Sequence, residues 1–336
     1  MIELDGVGLL PEEVVAVARH EAPVRLGAEG RRRMEESAAV VARLAASDQP
    51  VYGVSTGFGS LANTHIPADR REELQRALVR SHAAGMGEPI ETECVRAMLL
   101  LRARTLAMGF SGARPAVAET MLALLNAGLT PVVPEHGSLG ASGDLAPLSH
   151  CALVLIGEGE VHDREGRRQP ATEALAGAGI APLTLIAKEG LALINGTDGM
   201  LGMLLLALAD LRRLLAVADL AAAMSTEALL GTDRAFAADL QQLRPHAGQA
   251  ASAANLRRLL AGSAIVASHR EGDSRVQDAY SIRCTPQVHG AARDTAAHAA
   301  AVAAVELRSA IDNPMILPDG RVDLRGRGTM TGKRRR

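Results

Sequence analysis

The chain has 336 residues, 48% of them hydrophobic and 22% charged, with a formal net charge of −2. That length allows one large or two ordinary domains with a sizeable core, and a nearly neutral chain lacks the basic field that would draw it to nucleic acid or an anionic membrane surface. With only two Tyr, three Phe and no Trp, the core must be packed with Ala, Leu, Val and Met, so Tyr52, Phe58, Phe110, Phe236 and Tyr280 each call for a reason.

Residues 1 to about 50 open on a short strand-like stretch, followed by a helix from Pro11, a residue suited to a first helical turn. A second short strand is expected at Val24-Arg25-Leu26 and a surface helix over 30–46. Tyr52-Gly53-Val54-Ser55-Thr56-Gly57-Phe58-Gly59 is a loop by its glycines, and by itself reads as a structural turn around a buried Tyr. A helix over 69–80, with Leu74 and Leu78 on one face, runs into Ser81-His82-Ala83-Ala84-Gly85, where Gly85 is the expected terminator. Two helices follow over 91–108 and 115–127, the second opening at Pro115 and closing before Gly128.

Gly137-Ser138-Leu139-Gly140-Ala141-Ser142-Gly143-Asp144-Leu145 is the stretch richest in chemistry. Glycine permits close backbone approach. The Gly143 nitrogen can then attack the Ala141 carbonyl with loss of two waters, leaving Ser142 as an exposed methylidene carbon. Any side chain on residue 143 would crowd the five-membered ring. On its glycines alone, an anion-cradling loop is the commoner reading.

Beyond it, 160–166 reads as a surface hairpin, and neither His150 nor His162 has a metal-ligand spacing, so no metal is assigned. Cys94, Cys151 and Cys284 are odd in number and far apart, as expected of reduced, buried thiols in a cytoplasmic protein. No basic, apolar leader opens the chain. The most apolar stretch, Met200 to Met224, is broken by Asp210, Arg212, Arg213 and Asp219, so neither a signal peptide nor a membrane span is expected. Apolar residues cover most of a helix over 200–230, which predicts a helix enclosed on nearly all sides. Asn195, between an apolar run and Gly196, would ordinarily cap that helix.

The run Gly137 to His150 is similar to the prosthetic-group loop of the aromatic amino acid ammonia-lyases, where the tripeptide becomes 4-methylideneimidazol-5-one. The 52–59 loop, Lys188 to Gly199, Arg244 to Gln249, Ser274 to Gly290 and Ile311-Asp312-Asn313-Pro314 are also family-like. The resemblance implies a mainly α fold, an aspartase-like helical bundle with a small mixed α/β N-terminal region. It makes Ala141-Ser142-Gly143 the source of the only cofactor, Tyr52 the catalytic base, and Asn195 and Tyr280 further catalytic residues. Gln277 and Arg283 become substrate-binding, with the Arg283 fork on the substrate carboxylate. Ser81-His82 resembles the histidine-specific branch, whose histidine contacts the substrate ring.

The implied reaction is elimination of ammonia from L-histidine to give trans-urocanate. Its implied partners are the amino acid and three further copies in a homotetramer, with no nucleic acid and no membrane. Tyrosine or phenylalanine lyase activity is the nearest alternative. Residues 1–195 are expected to form an N-terminal region, 196–323 part of a central bundle, and 324–336 a disordered basic tail. The resemblance stops near Asp323, ahead of a family Phe and Glu, so impaired activity or an inactive partner subunit is also expected.

Overall fold

The computed structural model describes residues 1–47, 50–58, 63–139 and 143–317. In chain order it holds β1 (Ile2–Leu4), α1 (Pro11–His20), β2 (Val24–Leu26), α2 (Ala28–Ala45), α3 (Arg71–His82), β3 (Met86–Pro89), α4 (Thr92–Ala107) and α5 (Pro115–Ala127). Then come β4 (Thr130–Pro131), β5 (Pro134–His136), α6 (Leu145–Leu155), β6 (Glu160–His162), β7 (Arg168–Pro170), α7 (Ala171–Gly177) and α8 (Glu189–Ile194). Helices α9 (Asp198–Ala228), α10 (Ala238–Gln242), α11 (Ala247–Leu259), α12 (Ala264–Ser268), α13 (Tyr280–Arg283) and α14 (Thr285–Glu306) complete it.

Contacts divide the chain into two compact units, Met1–Leu205 with the described residues from Ala304, and Leu206–Ala303. The boundary expected at 195/196 falls inside the first unit, and the expected tail 324–336 lies outside the described residues.

In the first unit, local signals set the helix ends. Pro11 opens α1, Glu12 and Glu13 sit in its first turn, Arg19 and His20 in its last, and Glu21 leaves it with φ 50°. These charges complement the helix dipole. Pro115 opens α5 and Gly128, at φ 71°, closes it. Helix α3 stops at Ala83, two residues before Gly85. The strands are short: β1 pairs parallel with β2, β3 antiparallel with β5, and β6 lies between β4 and β7, with Val161 opposite Gln169.

Helix α4 is the spine of this unit, buried from Val95 to Ala107 and packed against α1, α2 and α5. Three of its buried side chains are arginines. Arg96 donates to the carbonyls of Val17, Ala18 and Leu125, the ends of α1 and α5. Arg104 donates to the Ser309 carbonyl at 2.8 Å, just beyond α14. Because burial depresses the pKa of both guanidiniums, these carbonyls supply the polar environment that water would otherwise give.

The second unit has its own core of Ala223, Phe236, Leu256, Leu260 and Val266. Phe236 is a fully buried aromatic in a core otherwise aliphatic. Asp219 accepts from Ser252 at 2.6 Å, Asn255 at 2.7 Å, His289 at 2.8 Å and Arg293 at 2.6 Å, joining α9, α11 and α14. Burial alone would raise its pKa; these donors outweigh burial and leave it lowered. The enclosure expected for the 200–230 helix does not hold within one chain. Leu214, Val217, Leu220 and Met224 are 61%, 54%, 46% and 62% exposed, so that face has no cover from the described residues. Of the cysteines, only Cys151 is buried, and all three are free thiols.

Helix α8 rests on α3 at a glycine. A Cβ on Gly190 would stand 2.8 Å from the Gln75 carbonyl oxygen and 2.9 Å from its Oε1, which itself accepts the Gly190 N–H. Gly190→Ala is therefore expected to lower stability by about 1–3 kcal/mol through overpacking. Denaturant unfolding of the two proteins measures this, and equal midpoints would show that α3 and α8 can separate freely.

Candidate active site

The turn from α8 into α9 carries Asn195. Lys188, at φ 69°, precedes α8, and Asn195 ends it; Asp198 opens the next helix, so Asn195 is not that helix's N-cap. Arg102, with no exposed surface, reaches this turn from α4. It donates to the Asn195 carbonyl at 3.1 Å, to Asp198 at 2.9 Å and to the Ile311 carbonyl at 3.2 Å. Thr105 holds the other Asp198 oxygen at 2.9 Å. A Cβ on Gly196 would fall 2.1 Å from Arg102 Nη1 and 2.3 Å from Asp198 Oδ2, so only glycine lets the turn lie on this ion pair.

The Asn195 side chain faces the 311–313 segment. Its Nδ2 donates to Asp312 Oδ1 at 3.3 Å and to the Asn313 carbonyl at 3.2 Å. Asp312 in turn accepts from Lys188 Nζ at 2.6 Å, and both members of that pair are buried. Burial depresses the Lys188 pKa against the opposing pull of Asp312.

Ala141 and Ser142 lie outside the described residues. Gly143 sits at φ 67°, and a Cβ there would stand 2.7 Å from Met200 Cε. The left-handed angle at residue 143 favours glycine, the residue that the ring expected from the sequence requires. Asp144 anchors the loop's end: its Oδ1 accepts from Ser138 Oγ at 2.8 Å, and its Oδ2 from the N–H groups of Gly199 at 2.8 Å and Met200 at 3.0 Å. A carboxylate thus satisfies the first turn of α9. Burial raises the Asp144 pKa and outweighs the Met200, Ser138 and Gly199 hydrogen bonds.

The Tyr52 loop approaches α8. Gly53, at φ 71°, has Leu191 of α8 2.7 Å from where its Cβ would be, and the half-buried Tyr52 ring meets Phe58 edge-on at 6.1 Å. His82 ends α3, with Nδ1 2.9 Å from the Leu78 carbonyl and 3.1 Å from Ser81 Oγ. A carbonyl can only accept, so the hydrogen belongs on Nδ1, and in the neutral imidazole Nε2 is then the acceptor. Beyond α3, Gly85 donates its N–H to His150 Nε2 at 3.1 Å, and a Cβ on Gly137 would lie 3.4 Å from Gly85 Cα. The first unit thus brings together the 52–58 loop, α8 with Asn195, and the Gly143–Asp144 end of the glycine-rich loop; the chain after α3 meets that loop's start.

Tyr280, Arg283 and Gln277 belong to the second unit. Tyr280 is 69% exposed, and the Arg283 guanidinium lies over its ring, Cζ 4.3 Å from the centroid. Gln277 is exposed. Among the described residues no three His, Cys, Asp or Glu side chains form a metal cluster, and no helix is long and apolar enough to cross a membrane.

A model of the aromatic amino acid lyases matches residues 9–332. The chain belongs to that family. Histidine ammonia-lyase of Streptomyces griseus is 59% identical over 319 residues, covering 95% of this chain and 62% of its own length. That of Deinococcus radiodurans is 52% identical over 308 residues, covering 92% and 59%. Among solved structures, histidine ammonia-lyase from Trypanosoma cruzi superposes with a TM-score of 0.84 at 38% identity, covering 96% of this chain and 59% of that one. Tyrosine aminomutase from Streptomyces globisporus superposes at 0.87, also 38% identical, covering 97% and 65%. The chain therefore spans about three-fifths of the length of these curated relatives, and it has the mainly helical fold of the ammonia-lyases and aminomutases.

Within this family member, Arg102, Asp144, Lys188, Asp198 and Asp312 frame the site without having been singled out from the sequence as functional. Arg102 had one legible signal, a cation inside a helix apolar on every side. Asp312 had only its place in Asp-Asn-Pro.

The raised Asp144 pKa has a definite sign. From the ordinary carboxylate value, about 3.9, up to its raised folded value, the folded state keeps a proton that the unfolded state has released, so stability falls as pH rises. Asp144→Asn lacks that contribution and can still accept from Gly199 and Met200. Its unfolding free energy relative to the parent is expected to grow across this window and then level off. Parallel denaturation curves at a series of pH values check this; a constant difference would refute it.

Proposed function

We propose that the protein eliminates ammonia from L-histidine to give trans-urocanate. The carrying observation is His82, which ends α3 with its hydrogen fixed on Nδ1 by the Leu78 carbonyl, in a chain whose curated relatives are histidine ammonia-lyases. Its Nε2 lone pair suits the N–H of an imidazole and has no counterpart to meet on a phenyl ring. That disfavours phenylalanine as the substrate.

The residues of the loop fit the prosthetic group. Gly143 takes a left-handed φ that favours glycine, and Asp144 fixes the loop's end on α9. When formed from Ala141-Ser142-Gly143, the group supplies an electrophile that ordinary side chains lack and makes the amine a leaving group. The side chains then divide the remaining work. Arg283 pairs the substrate carboxylate with its planar fork, with Gln277 beside it. Tyr52 takes the β-proton, the electron pair of that C–H bond becomes the new double bond, and the C–N bond breaks. Asn195 of the first unit and Tyr280 of the second are further polar groups assigned to the reaction.

A homotetramer is part of this proposal, supported by the exposed Leu214, Val217, Leu220 and Met224 face of α9. An uncovered apolar stripe of that kind favours a partner over water.

Intact-protein mass spectrometry tests the group directly. The purified protein should weigh two waters less than its sequence, and Ser142→Ala should restore the full mass; an undiminished parent mass would refute the cyclisation.

His82→Leu should lower kcat/KM for histidine relative to phenylalanine by about tenfold or more, because a site that reads a ring N–H loses its discrimination with the acceptor. An unmoved ratio in steady-state assays of both substrates would remove His82 from ring recognition.

A further inference from the structure

We propose that Asp312, held by Lys188, is a positioning residue that locks the Asn195 amide in one orientation and makes Asn195 a hydrogen-bond acceptor in the active site. The role rests on the function proposed above; the geometry does not.

Asn195 gives one hydrogen toward Asp312 Oδ1 at 3.3 Å and the other toward the Asn313 carbonyl at 3.2 Å. A main-chain carbonyl only accepts. Asp312 is committed as an acceptor as well, since Lys188 Nζ donates to its Oδ2 at 2.6 Å and the Asn313 N–H to its Oδ1 at 2.7 Å. Whichever way the amide is drawn, its nitrogen must face these two oxygens. Both amide hydrogens are then used, and toward anything else Asn195 can offer only Oδ1.

The construction around the pair shows how tightly this orientation is set. Lys188 and Asp312 are each 1% exposed at the side chain. Lys188 takes φ 69°, a left-handed angle that costs a non-glycine residue strain. The Asn195 carbonyl is pinned independently by Arg102, so the backbone is fixed from one side and the side chain from the other. An ionic pair buried without exposed surface is costly unless geometry and further hydrogen bonds compensate. Here the further bonds run to Asn195.

The test compares the parent, Asn195→Ala, Asp312→Asn and the double variant. Asparagine at 312 keeps the shape but can present either oxygen or N–H₂, so it no longer dictates which end of Asn195 faces it. Two quantities are read: turnover of L-histidine, and solvent exchange of the Asn195 side-chain amide by ¹⁵N NMR, its resonances identified by their loss in Asn195→Ala. In the parent these hydrogens should exchange about tenfold or more slowly than in Asp312→Asn. The Asp312→Asn kcat should fall by about tenfold with KM changed less than about threefold, and the double variant should lie within about twofold of Asn195→Ala alone, the non-additivity of residues acting as one unit.

Losses that multiply in the double variant, or amide exchange equal in parent and Asp312→Asn, would overturn the proposal. A parent with uncyclised mass and no urocanate, yet with a protected Asn195 amide released by Asp312→Asn, would remove the function and leave the positioning intact. Should Asp312→Asn fail to fold, Lys188→Arg and Lys188→Met carry the same comparison. Arginine keeps a cation on Asp312 and should preserve slow exchange; methionine should speed it, and equal exchange in the two would count against the proposal.

Discussion

A guanidinium with no path to water organises the first unit. Arg102 leaves the middle of α4 and, with its partner Asp198, holds the Asn195 turn, the start of α9 and the Ile311 carbonyl at one point. Removing either charge would strand the other in a medium that solvates it poorly, a loss of several kcal/mol. The pair does little for net stability compared with an apolar substitute of the same shape. Its effect is specificity of arrangement: three segments far apart in sequence have one way to satisfy it. The position of the site's polar groups follows from that.

Glycines supply the complementary constraint. Gly53 lets the Tyr52 loop lie on Leu191, Gly143 lets the end of the 137–145 loop lie on Met200, and Gly196 lets the turn lie on Arg102 and Asp198. In each case the nearest atom to an added Cβ is 2.7 Å away or closer. The Gly196 contact, against a buried ion pair, leaves the least slack, and a site held so firmly loses little rate to displacement. Asp144 does for the loop what an N-cap does for a helix, from outside it, by accepting the Gly199 and Met200 N–H groups of α9.

Both units set cations beside buried acids. In the first, the buried acids Asp198, Asp312 and Glu189 each face one cation, Arg102, Lys188 and Arg114, with main-chain or side-chain donors filling the remaining lone pairs. In the second, Asp219 faces the Arg293 guanidinium at 2.6 Å and also gathers Ser252, Asn255 and His289, so further donors join the one cation. Both solutions meet the requirement that a buried charge be bonded as well as paired. Only the first leads into the cluster around Asn195.

Much of the architecture was legible in the sequence, because it rests on local rules. Pro11, Pro115 and Gly128 mark helix ends, the hairpin read at 160–166 has its turn there, and a Gly stands where the chain takes a left-handed φ at 143. The family motifs likewise located Tyr52, His82 and Asn195 in segments that the fold does bring near one another or near the loop. What the sequence left open was set by contacts across long separations: Asn195 meets Asp312 over 117 residues, and Arg102 meets Asp198 over 96. A helical pattern tells which face is apolar but not which distant acid a buried cation will find. It also misjudged α9, whose apolar circumference predicts enclosure while one face stays open in the single chain, since periodicity counts apolar residues and not the neighbours available to cover them. The sequence by itself determined most of the elements and the glycine-rich loop at 137–145; only the tertiary structure decided which buried charges would meet beside it, because burying an ion is tolerable solely where its partner is brought into bonding distance.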